Sequence, residues 1–406
     1  MLHEFKLKNF YSFADEVTVS FCVGQHAPDN SLFLVAPSGQ RLSRMLTAIG
    51  PNASGKTNLL KGLSFLKWFM LMSFRMLDPK ETLPVDRFAF AKDPQTAMSF
   101  RLVFEINGGV YQYEVEIVGD QVTREILERK TDRNFGYLFR REWNATTKSV
   151  DIREQNLAFD VDAVKTLVRD NCSLLSVLHQ TENKALQPVF DYLDDMQTNV
   201  DRWGRDPHRS AEHLGHLLAA AKFFHKHPDY KADAERLLTG KLDFGLSGIA
   251  IQEEKYKSSD KGEPGVLFVP YGLHKVDGHE YRLALMEESS GTQNSFVLLH
   301  KLLPVLRTGG LAVIDEFEVD LHPQMISPIL DLFLDPETNP KNAQLLFSTH
   351  SIEVLRKLDK TQVLLVDKDE RCRSHVCRLD EIKGVRRDVD LYAKYMSGAY
   401  GAVPNI

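Results

Sequence analysis

The stretch Leu46–Leu63, LTAIGPNASGKTNLLKGL, constrains the fold more than any other part of the 406-residue chain. A short apolar run enters a glycine-rich turn, and Lys56-Thr57 open a stretch of helical character. Gly50-x4-Gly55-Lys56-Thr57 has the spacing of a phosphate-holding loop. Its glycines let backbone N–H groups converge on an anion, and the following helix presents its positive end. In such a loop Gly50, Pro51, Asn52, Ala53, Ser54 and Gly55 enclose the phosphates, with Asn58 following on the first helical turn. Lys56 neutralises β/γ charge and the Thr57 hydroxyl is an oxygen ligand for Mg²⁺. A chance glycine turn needs neither a strand before it nor a helix after it, and this one has both. The chain is therefore expected to be α/β, with a nucleotide at the end of a buried strand.

Composition narrows the class. Hydrophobic residues make up 43% and charged residues 26%, with a net charge of −6. A surface of that balance is not built as a whole for nucleic acid, although a local basic patch could be. No run approaches the ~20 apolar residues that span a bilayer. The opening MLHEFKLKNFYSFADEV mixes charges among its apolar residues and reads as a strand, not a signal peptide. Cys22, Cys172, Cys372 and Cys377 are too few for a disulfide framework, and a reducing cytoplasm fits.

Residues 1–24 read as two strands, and Thr57 to about Met76 as a helix with Leu60, Leu63 and Trp68 on its apolar side. From Met98 to about residue 153 the period is two, with hairpin turns at Asn107-Gly108-Gly109 and Gly119-Asp120. Residues 160–240 switch to helical spacing, with Leu214, Leu217, Leu218, Ala221 and Phe224 on one face and AVKTLVRDNCSLLSVLHQ as a further helix. Strands return after 245, then a helix near Gly291. GGLAVIDE, AQLLFSTHS and TQVLLVDKD are short buried strands ending in polar residues, the pattern of a parallel sheet with its functional groups at the strand ends.

Three of those ends extend the phosphate site. LAVIDE closes on Asp315, which can hold Mg²⁺, and Glu316, which can polarise an attacking water. His350, about 35 residues beyond Asp315, ends the next strand and can hydrogen-bond charge developing on a γ-phosphate. Ser289-Ser290-Gly291-Thr292-Gln293 starts a helix. A hydroxyl and a glycine N–H there make an anion site, or equally an ordinary helix N-cap.

The order of these motifs resembles that of ABC-type ATPase heads of the SMC/Rad50/RecF-like branch. More closely, the chain is similar to the OLD-related bacterial ATP-binding proteins called AAA-15 or AAA-21 ATPases. FKLKNFYSF, IGPNASGKTNLL, ESSGTQ, VIDEFEVDLHP and LLFSTHS carry the likeness; residues 79–285 add little to it. The resemblance implies an ABC-type head with a mixed sheet, an antiparallel β-subdomain and a helical insertion. The expected divisions are 1–78 for the P-loop lobe, 79–155 for the β-subdomain, 156–244 for the helical insertion and 245–406 for the second lobe. It implies Mg²⁺-dependent ATP hydrolysis across a homodimer or higher homo-oligomer, Ser290 and Gly291 of one head completing the site on Lys56 of another. Asp320-Leu321-His322 would lie near the seam. Thr292 and Ser289 depart from the familiar LSGGQ signature of transporters. Stand-alone members of this kind act in bacterial antiphage defence with a separate effector, such as a Toprim-type or RloB-type nuclease. A DNA-binding repair or maintenance ATPase and a nucleotide-locked scaffold are the alternatives.

Other features carry weaker expectations. Gln95 sits at a plausible distance for the family's Mg²⁺-sensing glutamine, and reads equally well as an exposed loop residue. Cys372, His375 and Cys377 are one ligand short of a closed zinc site. Asp367 and Asp369 imitate a nuclease D-x-D, but some 40 residues remain after them, too few for a Toprim domain. Arg129–Trp143 interleaves five basic residues with Phe135, Tyr137, Phe139 and Trp143. It suits nucleic acid, yet reads better as a hairpin with one aromatic and one charged face. KGVRRDVD reads as a solvated loop, and the uncharged tail SGAYGAVPNI as packed on a neighbour or frayed.

Overall fold

The two strand patterns of the sequence sort into two sheets. The computed structural model describes residues 1–205, 211–242, 244–257, 264–319, 321–387 and 389–402. The continuous apolar runs form a six-stranded sheet in the order Gln197–Thr198, Leu311–Ile314, Gln344–Ser348, Met45–Ile49, Val363–Lys368, Ser374–Arg378. The first five are parallel, and the last closes the edge antiparallel. The alternating segments form a seven-stranded antiparallel sheet in the order Ser149–Glu154, Phe135–Asn144, Gln121–Lys130, Gly109–Val118, Met98–Ile106, Leu2–Lys8, Val17–Ser20. Asn107 (φ 49°) and Gly108 (φ 80°) make the expected hairpin turn.

Strand periodicity divides the core in two. Leu46, Ala48, Leu311, Val313 and Leu346 face the helix Lys56–Met76, which fills the space between the sheets. Met45, Ile49, Ala312, Ile314, Leu345 and Phe347 face the helices Ala211–Lys226, Ser290–Thr308 and Pro323–Leu334. Gly62 sets the depth of the first packing. A Cβ there would lie 2.8 Å from the side chains of Phe5 and Leu7, so the helix meets the first strand with no room for a methyl. A three-stranded antiparallel sheet, Gly248–Lys257, Pro264–Val276 and His279–Ala284, precedes the helix Ser290–Thr308.

The stretch 156–244, expected to be helical, is more mixed. AVKTLVRDNCSLLSVLHQ breaks into the helices Val161–Leu167 and Leu174–Gln180, because the Ser173 hydroxyl caps the second by accepting from Leu175 N–H. Gln197–Thr198 joins the parallel sheet, and Val200–Asp201 with Gly204–Arg205 forms a small hairpin. Leu217, Ala221 and Phe224 face the core as expected, whereas Leu214 is exposed.

Arg129–Trp143 is the strand pair of the hairpin reading. Phe139 is buried, and so is Arg141, which lies 3.5 Å from the buried Glu125 and donates to the carbonyls of Cys172 and Arg169. Glu125 also accepts from Ser173, Leu174 N–H and Tyr113, tying the antiparallel sheet to the following helix. In the tail, Ala402 is buried against its own chain and its carbonyl accepts from the Tyr395 hydroxyl; residues 403–406 lie outside the described ones. Among the described residues, no helix is long and apolar enough to cross a membrane.

Candidate active site

The phosphate loop is shaped by what its glycines exclude. A Cβ on Gly50 would sit 2.0 Å from the carbonyl oxygen of Val366 on the neighbouring strand. Gly55 has φ 114°, and a Cβ there would lie 2.4 Å from Ser374 Oγ and 2.9 Å from Ser12 Oγ. The two serines brace the loop from behind. Ser374 Oγ donates to the Ser54 carbonyl (2.6 Å) and lies within hydrogen-bond distance of Ser12 Oγ (2.8 Å), which accepts from Asn58 Nδ2 (2.9 Å). Asn52 and Ala53 form the exposed crest, Ala53 in left-handed backbone (φ 61°). Ser54 is buried and its hydroxyl has no hydrogen-bond partner among the described residues. Lys56 is 6% exposed, and its ammonium donates to the carbonyls of Gly50 (2.9 Å) and Pro51 (3.0 Å). Burial pulls its pKa below the ordinary lysine value, opposed by Asp315, Glu316 and Glu318.

One hydroxyl–carboxylate chain joins the start of the helix Lys56–Met76 to two strand ends. Thr57 Oγ1 donates to Asp315 Oδ2 (2.8 Å), and Ser348 Oγ donates to Asp315 Oδ1 (2.5 Å). The same Ser348 oxygen accepts from Glu316 N–H (2.8 Å). Asp315 is 1% exposed, and its backbone is clasped by Asn199, which donates to its carbonyl (3.0 Å) and accepts from its N–H (2.7 Å). Glu316 turns out of the strand through left-handed backbone (φ 47°), an uncommon conformation for a residue with a side chain. Its Oε2 lies 3.0 Å from Arg205 Nη1.

The remaining expected residues occupy the same edge or flank it. His350 follows the strand that carries Ser348; its ring is exposed and its N–H donates to Glu318 Oε1 (2.5 Å). Ser289, not Ser290, is the helix N-cap, accepting from Thr292 N–H (3.2 Å). Ser290 is thus exposed on the first turn, with Gly291 buried behind it. His322 caps the helix Pro323–Leu334, and Asp320 lies outside the described residues. Gln95 lies in an exposed loop, bonded through its N–H to Asp93. Asn199, which touches Asp315, directly follows the edge strand Gln197–Thr198.

Asn199, Arg205, Ser12 and Ser374 are absent from the sequence reading. They come from distant parts of the chain and no spacing links them to the loop. Ser348 had a signal, because it precedes His350 in FSTHS. A cleft of ≈ 900 Å³ opens beside the loop and is lined by Asn9, Tyr11, Ser12, Asn58, Lys368 and Cys372 among others, large enough for a nucleoside.

The residues fit Mg²⁺ with a nucleotide. Thr57 and Asp315 offer hard oxygen ligands, and a nucleotide-bound Mg²⁺ takes its others from phosphates and water. Among the described residues no group of three or more His, Cys, Asp and Glu could hold a metal, Cys372, His375 and Cys377 included. Asp369 belongs to a turn. Its carboxylate accepts from the N–H groups of Arg373 and Arg371 and pairs with the Arg373 guanidinium, which holds it well below the usual carboxylate range.

Comparison with solved structures returns "SMC head domain from Thermotoga maritima" at 14% identity, covering 93% of this chain and 98% of that one, with a TM-score of 0.41. It also returns "Crystal structure of the SmcHead bound to the C-winged helix domain of ScpA" at 13% identity, covering 93% and 96%, with a TM-score of 0.47. No curated protein matches the chain. Residues 49–356 match the family profile described as "AAA domain, putative AbiEii toxin, Type IV TA system". That match runs from the phosphate loop past His350, so the chain belongs to this AAA family and is a P-loop ATPase.

Proposed function

We propose that this chain hydrolyses ATP with Mg²⁺ at a site shared by two identical heads, and that its nucleotide state switches a separate effector protein, a nuclease. The observation that carries the reading is the bonded series Thr57–Asp315–Ser348–Glu316 beside the Lys56 loop. It brings Thr57 and Asp315, as the proposed metal-ligand pair, and the Glu316 carboxylate to the end of one sheet.

The roles follow from charge. Lys56 and the loop amides bind the β- and γ-phosphates, and Thr57 with Asp315 holds Mg²⁺. Bound Mg²⁺ draws charge from the phosphate oxygens. Glu316 takes the proton of the attacking water as its oxygen bonds to the γ-phosphorus, and the electron pair of the breaking P–O bond leaves on the ADP oxygen. His350 donates to the γ-phosphate. Ser290 and Gly291, exposed and at a helix start, complete the site of a second head.

The effector reading rests on the family's description as a toxin of a type IV toxin–antitoxin system. The D-x-D carboxylate Asp369 is occupied in its own turn. Direct action on nucleic acid is not favoured, since the basic–aromatic stretch buries Arg141 and Phe139 in the core.

The test is co-purification of the full chain with the product of the neighbouring reading frame, in ATP–Mg²⁺ and in ADP. A nuclease whose binding or activity differs between the two nucleotides is the expected result. ATP hydrolysis stimulated by DNA in the isolated chain, with steep salt dependence, would overturn the effector reading.

A further inference from the structure

Resting on the assignment of Glu316 as the base, we propose that Arg205 is a positioning residue of the hydrolytic step, holding one oxygen of Glu316 so that the other is presented to water. Arg205 Nη1 lies 3.0 Å from Glu316 Oε2 as an ion pair without an aligned hydrogen bond, with the two side chains 20% and 35% exposed. Among the described residues, Oε1 of Glu316 makes no hydrogen bond. A carboxylate anchored at one oxygen and open at the other is the arrangement of an oriented base.

The element that carries Arg205 is built to be stiff. Asp201 Oδ1 accepts from the N–H groups of Trp203 and Gly204, closing a tight turn, and Gly204 has φ 122°, which a side chain would resist. Val200 is buried at the base. Asn199, one residue before it, clasps the Asp315 backbone, and a Cβ on Gly204 would stand 3.8 Å from the Thr57 methyl. The hairpin is therefore fixed to the metal-ligand pair on one side and to the base on the other. At the Glu316 end, left-handed backbone leaves the side chain directed by its partner as much as by its strand.

The test compares Arg205→Met, Arg205→Lys, Glu316→Gln and the Arg205→Met/Glu316→Gln double variant in the full-length protein. It reads kcat, KM, the affinity for a fluorescent ATP analogue and the melting temperature. Arg205→Met is expected to lower kcat about 10- to 100-fold, the scale of a displaced catalytic group. KM, nucleotide affinity and melting should stay near the parent's, and Arg205→Lys should recover part of the loss. In single turnovers the double variant should be no slower than Glu316→Gln, because both changes disable one group. Multiplied losses in the double variant would overturn the proposal and place Arg205 on the phosphate instead. A slow Glu316→Gln beside a parental or faster Arg205→Met rejects the Arg205 role alone. A parental Glu316→Gln rejects the base assignment, and Arg205 with it.

Discussion

Gly55 leaves no space for a methyl group and demands a backbone that alanine resists. Gly55→Ala should therefore distort the loop and abolish nucleotide binding while the sheet still folds. Calorimetric titration with ATP–Mg²⁺ checks it, and near-parental affinity would contradict the cradle. Lys56→Ala should weaken nucleotide binding about 10- to 100-fold, the loss of a charge-assisted contact to phosphate; unchanged affinity in the same titration would remove Lys56 from that role. Glu316→Gln should keep ATP bound and unhydrolysed, because ground-state contacts survive while the base is lost. Single-turnover hydrolysis reads it, with parental rates as the contradicting result. At this scale the sequence is informative where one short motif supplies the chemistry. Gly50 through Thr57 link a strand to a helix, and Asp315 and Glu316 follow a strand end. Asn199 and Arg205 were illegible because their partners lie more than a hundred residues away and their own neighbourhood, TNVDRWGR, has no periodicity.

Among the elements, the helix Ser290–Thr308 carries a titratable group in apolar company. The His300 ring packs against Phe223 (4.8 Å between centroids) and Phe224 (6.1 Å). Burial, with Lys301 and His216 adding, lowers its pKa from 6.5 to about 4. The unfolded chain then takes a proton before the folded one. Stability should fall as pH drops from 6.5 to about 4 and level off below. His300→Phe should flatten that slope by about 1–3 kcal/mol, allowing for partial exposure. Chemical denaturation at a series of pH values tests this, and identical slopes would contradict it. Long apolar runs and strict alternation made both sheets readable, since each pattern allows one packing. The break at Ser173 was not readable, because a single capping hydroxyl and a buried carboxylate, Glu125, override helical periodicity on either side.

For the whole molecule, the phosphate loop and the helix start at Ser290 stand at different places on one chain. Lys56 is enclosed in its loop, and Ser290 is exposed on the first turn of a helix. Within one chain the proposed site gathers Thr57, Asp315, Glu316 and Arg205. The account supplies the missing wall from a second copy. Legibility ended here for a physical reason: the sequence encodes one surface, and association depends on two. The decisive measurement is complementation. Lys56→Ala and Ser290→Arg chains are each inactive by this account. Mixed, they form heterodimers in which one pocket joins an intact Lys56 to an intact Ser290. Random pairing of two chains restores about a quarter of the pockets, so ATP turnover should reappear at about that fraction of the parental rate. A mixture as inactive as either chain alone, although the chains associate, would contradict the shared site.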